Sequence, residues 1–509
     1  MTTPSRQKFE LAVLTASVGA AATCAIVYQL AIGTVSTYLA GNSTFQYSLT
    51  IGLFMSAYGI GSFASTRVEN RLLDWFIWTE VLLGFLGGIS SLTLFLLYGG
   101  TEFFDVGRVG LILGIGSLIG LEIPLLIRLS EGTRNNLRVS VGAMMGFDYI
   151  GALVGGLAFP FIFLPLWGLL GAPAWIGLLN VAIAGVGLSV FWKQIHSRRV
   201  LAAACLITAS VLGLSAFQTH EIERIVESNL YEDPVVYLEQ TPYQRMVMTR
   251  KALDTRLFLD GSLQFSSADE YRYHEMLVHP AATRLAKISK VLVLGGGDGL
   301  ALRELEKYKE IEQIVLVDLD PAMVRLGRTD PTLRKLNADS FANPVVKVIH
   351  DDAFEFVENT QMGPFDLVIV DLPDPHHESL AKLYSVTFYQ GLMRVVAKGG
   401  LVAAQLGSPF FANRTYWSSI SSLETAGWQV RPYFVDVPSF GIWGFGLASL
   451  QESPEAPLRS FTGRYYETAF DASSFRFPAD LKARQPVEPN TLVRPVIVSY
   501  FRDDWRGWN

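Results

Sequence analysis

The chain has 509 residues, well above the roughly 100–200 of one ordinary domain, so at least two folding units are expected. Charged residues make up 17% of it, below the roughly 25% of a soluble protein, and the deficit falls almost entirely before residue 218. A net charge of -6, with the basic residues that cluster lying in short loops between apolar stretches, argues against a nucleic-acid partner, and two cysteines, Cys24 and Cys205, both in apolar stretches, argue against a disulfide framework or a thiolate metal site.

Apolar runs near the about 20 residues that cross a bilayer occur at 10–34, 47–66, 75–98, 107–128, 141–165, 170–192 and 199–217. They predict a polytopic transmembrane helical domain over 1–218 with about seven spans, multi-pass in the cell membrane. Trp75, Trp78, Tyr98, Trp167, Trp175 and Trp192 lie near run ends, where amphipathic rings favour the interface. The first run is too long for a cleaved signal peptide. Arg6 and Lys8, Arg67 and Arg71, Arg128, Arg134 and Arg138, and Lys193, Arg198 and Arg199 all fall on one side, with little but Arg108 opposite. The positive-inside rule makes that side cytoplasmic, and an odd span count then puts the rest of the chain outside the cytoplasm. Three acids, Glu80, Glu122 and Asp148, lie within spans. Either they face the bundle interior or a water-filled cavity, as candidates for holding a polyamine or a proton, or they lie near span ends, snorkel, or hydrogen-bond neighbouring helices.

After residue 218 the pattern becomes that of a soluble protein. Alternating residues between turn signals predict a small antiparallel β subdomain over 219–265. A helical stretch at 268–287 precedes apolar runs at 290–294, 313–317, 345–349, 366–370 and 400–404 that alternate with helical patterns. This is the order of a doubly wound parallel sheet, so a Rossmann-like α/β domain of the methyltransferase type is expected over 266–484. The last stretch, 485–509, has no assigned role.

The first of those strands runs into Gly295-Gly296-Gly297-Asp298-Gly299, a glycine-rich turn that lets backbone approach a nucleoside. Asp318 ends the next strand about 20 residues later, where an acid accepts hydrogen bonds from a ribose. Asp351-Asp352 follows the third strand, placed either to meet the exocyclic amine of an adenine or simply to cap a helix. Asp371-Leu372-Pro373-Asp374-Pro375 closes the fourth strand at the carboxyl edge, where open α/β sheets bind ligands.

Together with Thr241-Pro242-Tyr243-Gln244, Leu257 to Gln264, Asp269 to Glu275 and Arg464-Tyr465-Tyr466, these strings make 234–480 resemble the spermidine synthase family of polyamine aminopropyltransferases. The resemblance implies decarboxylated S-adenosylmethionine as co-substrate, 5'-methylthioadenosine as product, no metal, a small polyamine as partner and a homo-oligomer as an available state. It assigns Gln244, Gly295, Gly297, Asp298, Asp318 and Asp352 to the donor nucleoside and Asp371 to catalysis. Gln264, Tyr273, His274, Asp374 and Gln405 fall to the aminopropyl arm or the amine acceptor. Asp318 stands where the family has glutamate, Leu372 and Pro373 stand for two serines, and Asp436 to Phe440 lacks the family's tyrosine, so the acceptor amine stays open.

An alkylammonium resembles lysine, with a pKa of about 10.4, so it must lose a proton before it attacks the carbon next to a sulfonium. Asp371 is placed to take that proton, and the leaving thioether is neutral. Two other readings share parts of this pattern: an S-adenosylmethionine-dependent N-methyltransferase, and a polyamine transporter or sensor with an inactive nucleotide-binding domain. A cytosolic donor and the loop charges point to opposite sides of the membrane.

Overall fold

The computed structural model describes residues 4–40, 43–100, 103–134, 137–219, 231, 233–451, 458–506 and 508. The chain divides into two compact units, Met1–Val235 and Val236–Asn509. The expected start of the β subdomain at 219–230 lies almost wholly outside the described residues.

The first unit is helical: α1 (Pro4–Ala40), α2 (Ser43–Ser65), α3 (Leu72–Gly88), α4 (Ser90–Gly100), α5 (Phe104–Arg134), α6 (Leu137–Ala158), α7 (Leu164–Val190) and α8 (Arg198–Phe217). Small residues bring the backbones together. A Cβ on Gly61 would stand 1.9 Å from the Ser117 carbonyl oxygen, and one on Gly177 would stand 2.5 Å from that of Gly84, so α2 meets α5 and α3 meets α7 without intervening side chains. Arg128 donates to the Val68 carbonyl at 2.6 Å, and Ser197 donates its backbone N–H to Asp74 at 2.8 Å. Three of the basic loops therefore gather at one end of the bundle. Arg108, at the other end of α2 and α5, is neutralised by Asp105 at 2.6 Å.

The count of apolar spans differs from expectation. Among the described residues, five helical segments, not about seven, are long and apolar enough to cross a membrane: Arg6–Ala40, Leu72–Tyr98, Phe104–Ser130, Val141–Val190 and Arg198–Phe217. The run at 47–66 forms α2, whose many Ser, Gly and Thr residues dilute its apolarity. The runs at 141–165 and 170–192 fuse into one helical stretch, broken at Gly168, where φ is 66° and ψ is -174°.

The second unit opens with an antiparallel sheet of β1 (Val235–Gln240), β2 (Arg245–Lys251), β3 (Asp254–Leu259) and β4 (Ser262–Ser266), paired in that order. The β3–β4 turn is Asp260-Gly261, with φ of 48° and 80°, the left-handed pair that a two-residue hairpin needs. Helix α9 (Glu270–Ala282) leads into a seven-stranded sheet built from β5 (Lys290–Gly295), β6 (Gln313–Asp318), β7 (Val346–His350), β8 (Phe365–Asp371), β9 (Val396–Gly407), β10 (Gln429–Val437) and β11 (Gly441–Ser449). Its order is β10-β11-β9-β8-β5-β6-β7. Strands β5 to β9 are parallel, whereas β11 pairs antiparallel with both β9 and β10. The sequence pattern, read as parallel throughout, held no sign of these two antiparallel strands.

Val291 and Val293 of β5 bury against one layer, and Leu292 and Leu294 against the other. Both faces are covered, which is why the parallel strands read as unbroken apolar runs. The covering helices include α10 (Leu300–Leu305), α11 (Pro321–Thr329), α12 (Ala353–Asn359), α13 (Val386–Val395) and α14 (Asn413–Ala426). In the C-terminal stretch without an assigned role, α15 (Val496–Trp505) forms, and Ile497 is buried in the core of this layer.

Candidate active site

The strand order reverses between β5 and β8, and the two strand ends crowd each other there. Gly295, at φ 81°, ends β5 opposite Asp371, and a Cβ on it would lie 2.1 Å from the Asp371 carbonyl oxygen. Only glycine lets the two strand ends approach this closely. A cavity of about 310 Å³ opens above this point. Gln244, Gln264, Tyr273, His274, Gly295, Gly297, Asp298, Asp318, Asp352, Asp371, Asp374 and Gln405 all line it. Its wall carries seven aspartates against one lysine, Lys382, so its field favours cations.

At the glycine turn, Asp318 accepts the backbone N–H of Gly297 at 3.0 Å and that of Asp320 at 2.9 Å. Asp298 accepts the N–H of Leu300 at 2.9 Å, where α10 begins. Burial pushes the carboxyls of both Asp298 and Asp318 up to about 6. Asp320 caps α11 through Ala322 at 2.9 Å and receives the Gln244 amide at 3.0 Å and the Thr241 hydroxyl at 2.8 Å. Asp352 has the cap role of its two readings: one oxygen caps α12 through Phe354 at 2.8 Å, while the other meets Lys382 at 2.6 Å and the side chain lines the cavity.

The Tyr273 hydroxyl donates to Asp371 at 2.6 Å. Burial raises the Asp371 carboxyl, while the charge of His274 and the Tyr273 hydrogen bond pull it back. His274 itself is locked by Glu270, with Nδ1 2.8 Å from the carboxylate, and Glu270 in turn receives Arg303 at 2.7 and 2.9 Å. Burial alone would lower this histidine, but Glu270 overrides it and lifts it to about 9, so an imidazolium stands near Asp298 and Asp371 at neutral pH.

Asp374 is pushed up to about 7 by burial. Gln405 faces the cavity with its amide committed: it donates to the Tyr384 hydroxyl at 2.7 Å and to the Leu372 carbonyl, and accepts from Gly407 at 3.0 Å. Tyr384 donates to the Pro373 carbonyl at 2.9 Å. The two side chains hold the 371–375 loop in place. Gln264 is half-buried and turns back to the Ser262 carbonyl at 3.1 Å.

Several residues of this site carried no role in the sequence reading: Asp320, Tyr384, Trp443, His376, His377 and the Glu270–Arg303 pair. Asp320-Pro321 is a helix-start signal that could have pointed to the first. The others are reached only through tertiary contacts. In the helical unit, Glu80 is fully buried and accepts the Asn180 amide at 2.7 Å, Glu122 is buried, and Asp148 is half-buried.

A family described as spermine/spermidine synthase domain matches residues 270–460. Polyamine aminopropyltransferase 1 of Streptomyces coelicolor is 42% identical over 96% of this chain and 93% of its own length. Polyamine aminopropyltransferase of Mycobacterium tuberculosis is 40% identical over 97% and 96%. Among solved structures, a spermidine synthase in complex with the transition-state analogue AdoDATO is similar at 25% identity and a TM-score of 0.45, over 48% of this chain and 85% of that one.

Proposed function

The chain belongs to the spermine/spermidine synthase family of polyamine aminopropyltransferases, and from that premise we propose that it moves an aminopropyl group from decarboxylated S-adenosylmethionine to a polyamine with Asp371 as its catalytic acid–base group. The enzyme is a transferase. The observation that carries the assignment is the Asp371 carboxylate at the strand-order reversal, held by Tyr273 at 2.6 Å in a cavity of seven aspartates.

The glycine turn, Asp298 and Asp318 receive the donor nucleoside, with Gln244 set by Asp320 and Asp352 at the adenine end. The acceptor enters as an ammonium. Asp371 takes its proton, the freed nitrogen bonds to the propyl carbon, and the carbon–sulfur bond breaks to leave neutral 5'-methylthioadenosine. Burial brings the Asp371 carboxyl closer to the amine in basicity, which favours the transfer, while the nearby imidazolium of His274 keeps it ionised. Purified protein supplied with decarboxylated S-adenosylmethionine and putrescine yields spermidine. Product formed only from S-adenosylmethionine would overturn the assignment.

We also propose that the helical unit is inserted in a lipid bilayer. The Val141–Val190 segment would span about 75 Å as a straight helix, against about 30 Å of hydrocarbon, and the break at Gly168 divides it into two crossings. Six crossings result, and α2 decides whether there is a seventh.

A further inference from the structure

Three buried polar atoms on the loop after Asp371 have no hydrogen-bond partner among the described residues: Asp374 Oδ1, His376 Nε2 and His377 Nδ1. Buried polar atoms in folded proteins are nearly always paired, and these three belong to residues on the wall of one cavity. For His376, the other ring nitrogen fixes the tautomer. Its Nδ1 lies 2.8 Å from the Asp374 carbonyl, which can only accept, so Nδ1 carries the hydrogen and the neutral ring presents a bare lone pair at Nε2. Burial holds this imidazole neutral by pushing its pKa down. The Asp374 carboxylate offers a second acceptor two residues away. An ammonium, with three donors, a positive charge and no acceptor, can serve both members of such a pair, whereas a hydroxyl has one donor and can serve only one, and a carboxylate serves neither.

We propose that His376 is a specificity-determining residue for the acceptor, its Nε2 accepting a hydrogen bond from the ammonium of the polyamine that does not react, beside Asp374. Asp371 serves the nitrogen that does react. The inference rests on the aminopropyltransferase assignment above and adds the half of the acceptor site that a change at Leu372 and Pro373 left undefined.

The test is steady-state kinetics of the full chain with decarboxylated S-adenosylmethionine and putrescine. His376→Phe keeps a ring against His377, whose centroid is 4.2 Å away, and removes the lone pair. It raises KM for putrescine about tenfold, with kcat within threefold and the donor Kd, measured by calorimetry, unchanged. His376→Gln, whose amide oxygen accepts, recovers most of the loss. A substrate-side probe needs no variant: (4-aminobutyl)trimethylammonium keeps the charge but has no N–H at that end, and its KM with the wild type is about tenfold above that of putrescine. An unchanged putrescine KM in His376→Phe, an equal rise in donor Kd, or equal KM values for the two amines overturns the inference while leaving the enzyme assignment intact. Wild-type protein that forms no aminopropylated product overturns both.

Discussion

The Tyr273 hydroxyl and the Asp371 carboxylate, 2.6 Å apart, titrate as neighbours, and that bond helps to hold Asp371 ionised. Tyr273→Phe therefore raises the Asp371 pKa and moves the acidic limb of the kcat/KM profile to higher pH, so that activity falls more at pH 6 than at pH 8. A parallel loss at both values would make the hydroxyl a packing group. Asp371→Asn removes the proton acceptor and lowers kcat by about 10²–10⁴, with donor binding by calorimetry retained; a loss below tenfold would assign the base elsewhere. Acids at strand ends were legible because the sheet period and the glycine turn place them. His376 was not, since its role depends on which ring nitrogen faces a carbonyl two residues back, and no spacing encodes that.

At the scale of elements, α9 carries the most chemistry. Its Glu270, His274 and Glu275 are all buried, an uncommon load for a helix with Pro280 near its end. Arg303 from α10 balances Glu270, and Glu275 accepts the backbone N–H groups of Arg464, Tyr465 and Tyr466 at 2.8 to 2.9 Å. Glu270→Gln takes the carboxylate from His274, while Arg303 keeps Glu304 at 2.8 Å and the Leu336 carbonyl at 2.7 Å, so the loss falls below the about 3–5 kcal/mol of a fully broken buried pair. The His274 pKa then falls from about 9, visible as an imidazole NMR titration moving toward neutral pH. A titration that stays in place would assign the shift to Asp298 and Asp371 instead. The parallel strands were evident as two-sided apolar runs, whereas β10 and β11 were missed because Gln429 to Ser449 mixes Arg, Pro, Asp and Gly with its apolar residues and joins the sheet only by antiparallel pairing at its edge.

For the whole molecule, the buried acids set the dependence of stability on pH. Asp374 stands at about 7, and Asp298 and Asp318 at about 6. The folded state thus keeps protons that the unfolded chain has released, and stability declines as pH rises through these values. His274, raised to about 9, loses its contribution in the same direction at higher pH. His376 and His377 act oppositely, but only below their ordinary value of about 6.5. Thermal unfolding of the ligand-free protein should show a Tm at pH 8.5 at least about 2 °C below that at pH 6.5, a difference that saturating polyamine reduces. A reporter fused after residue 509 tests the orientation: with the 193–199 basic loop in the cytoplasm, α8 carries the rest of the chain across, so an outside signal is expected and a cytoplasmic signal would reverse the assigned side of the basic loops.

The excess of aspartates around the cavity has a cost in turnover. Each reaction lengthens the acceptor by one aminopropyl unit and so adds an ammonium, which makes the product a stronger guest of the same seven carboxyls than the substrate was. Departure then becomes the slow event of the cycle. Moderate salt, by screening the field, should slow capture at low amine yet hasten release at saturating amine.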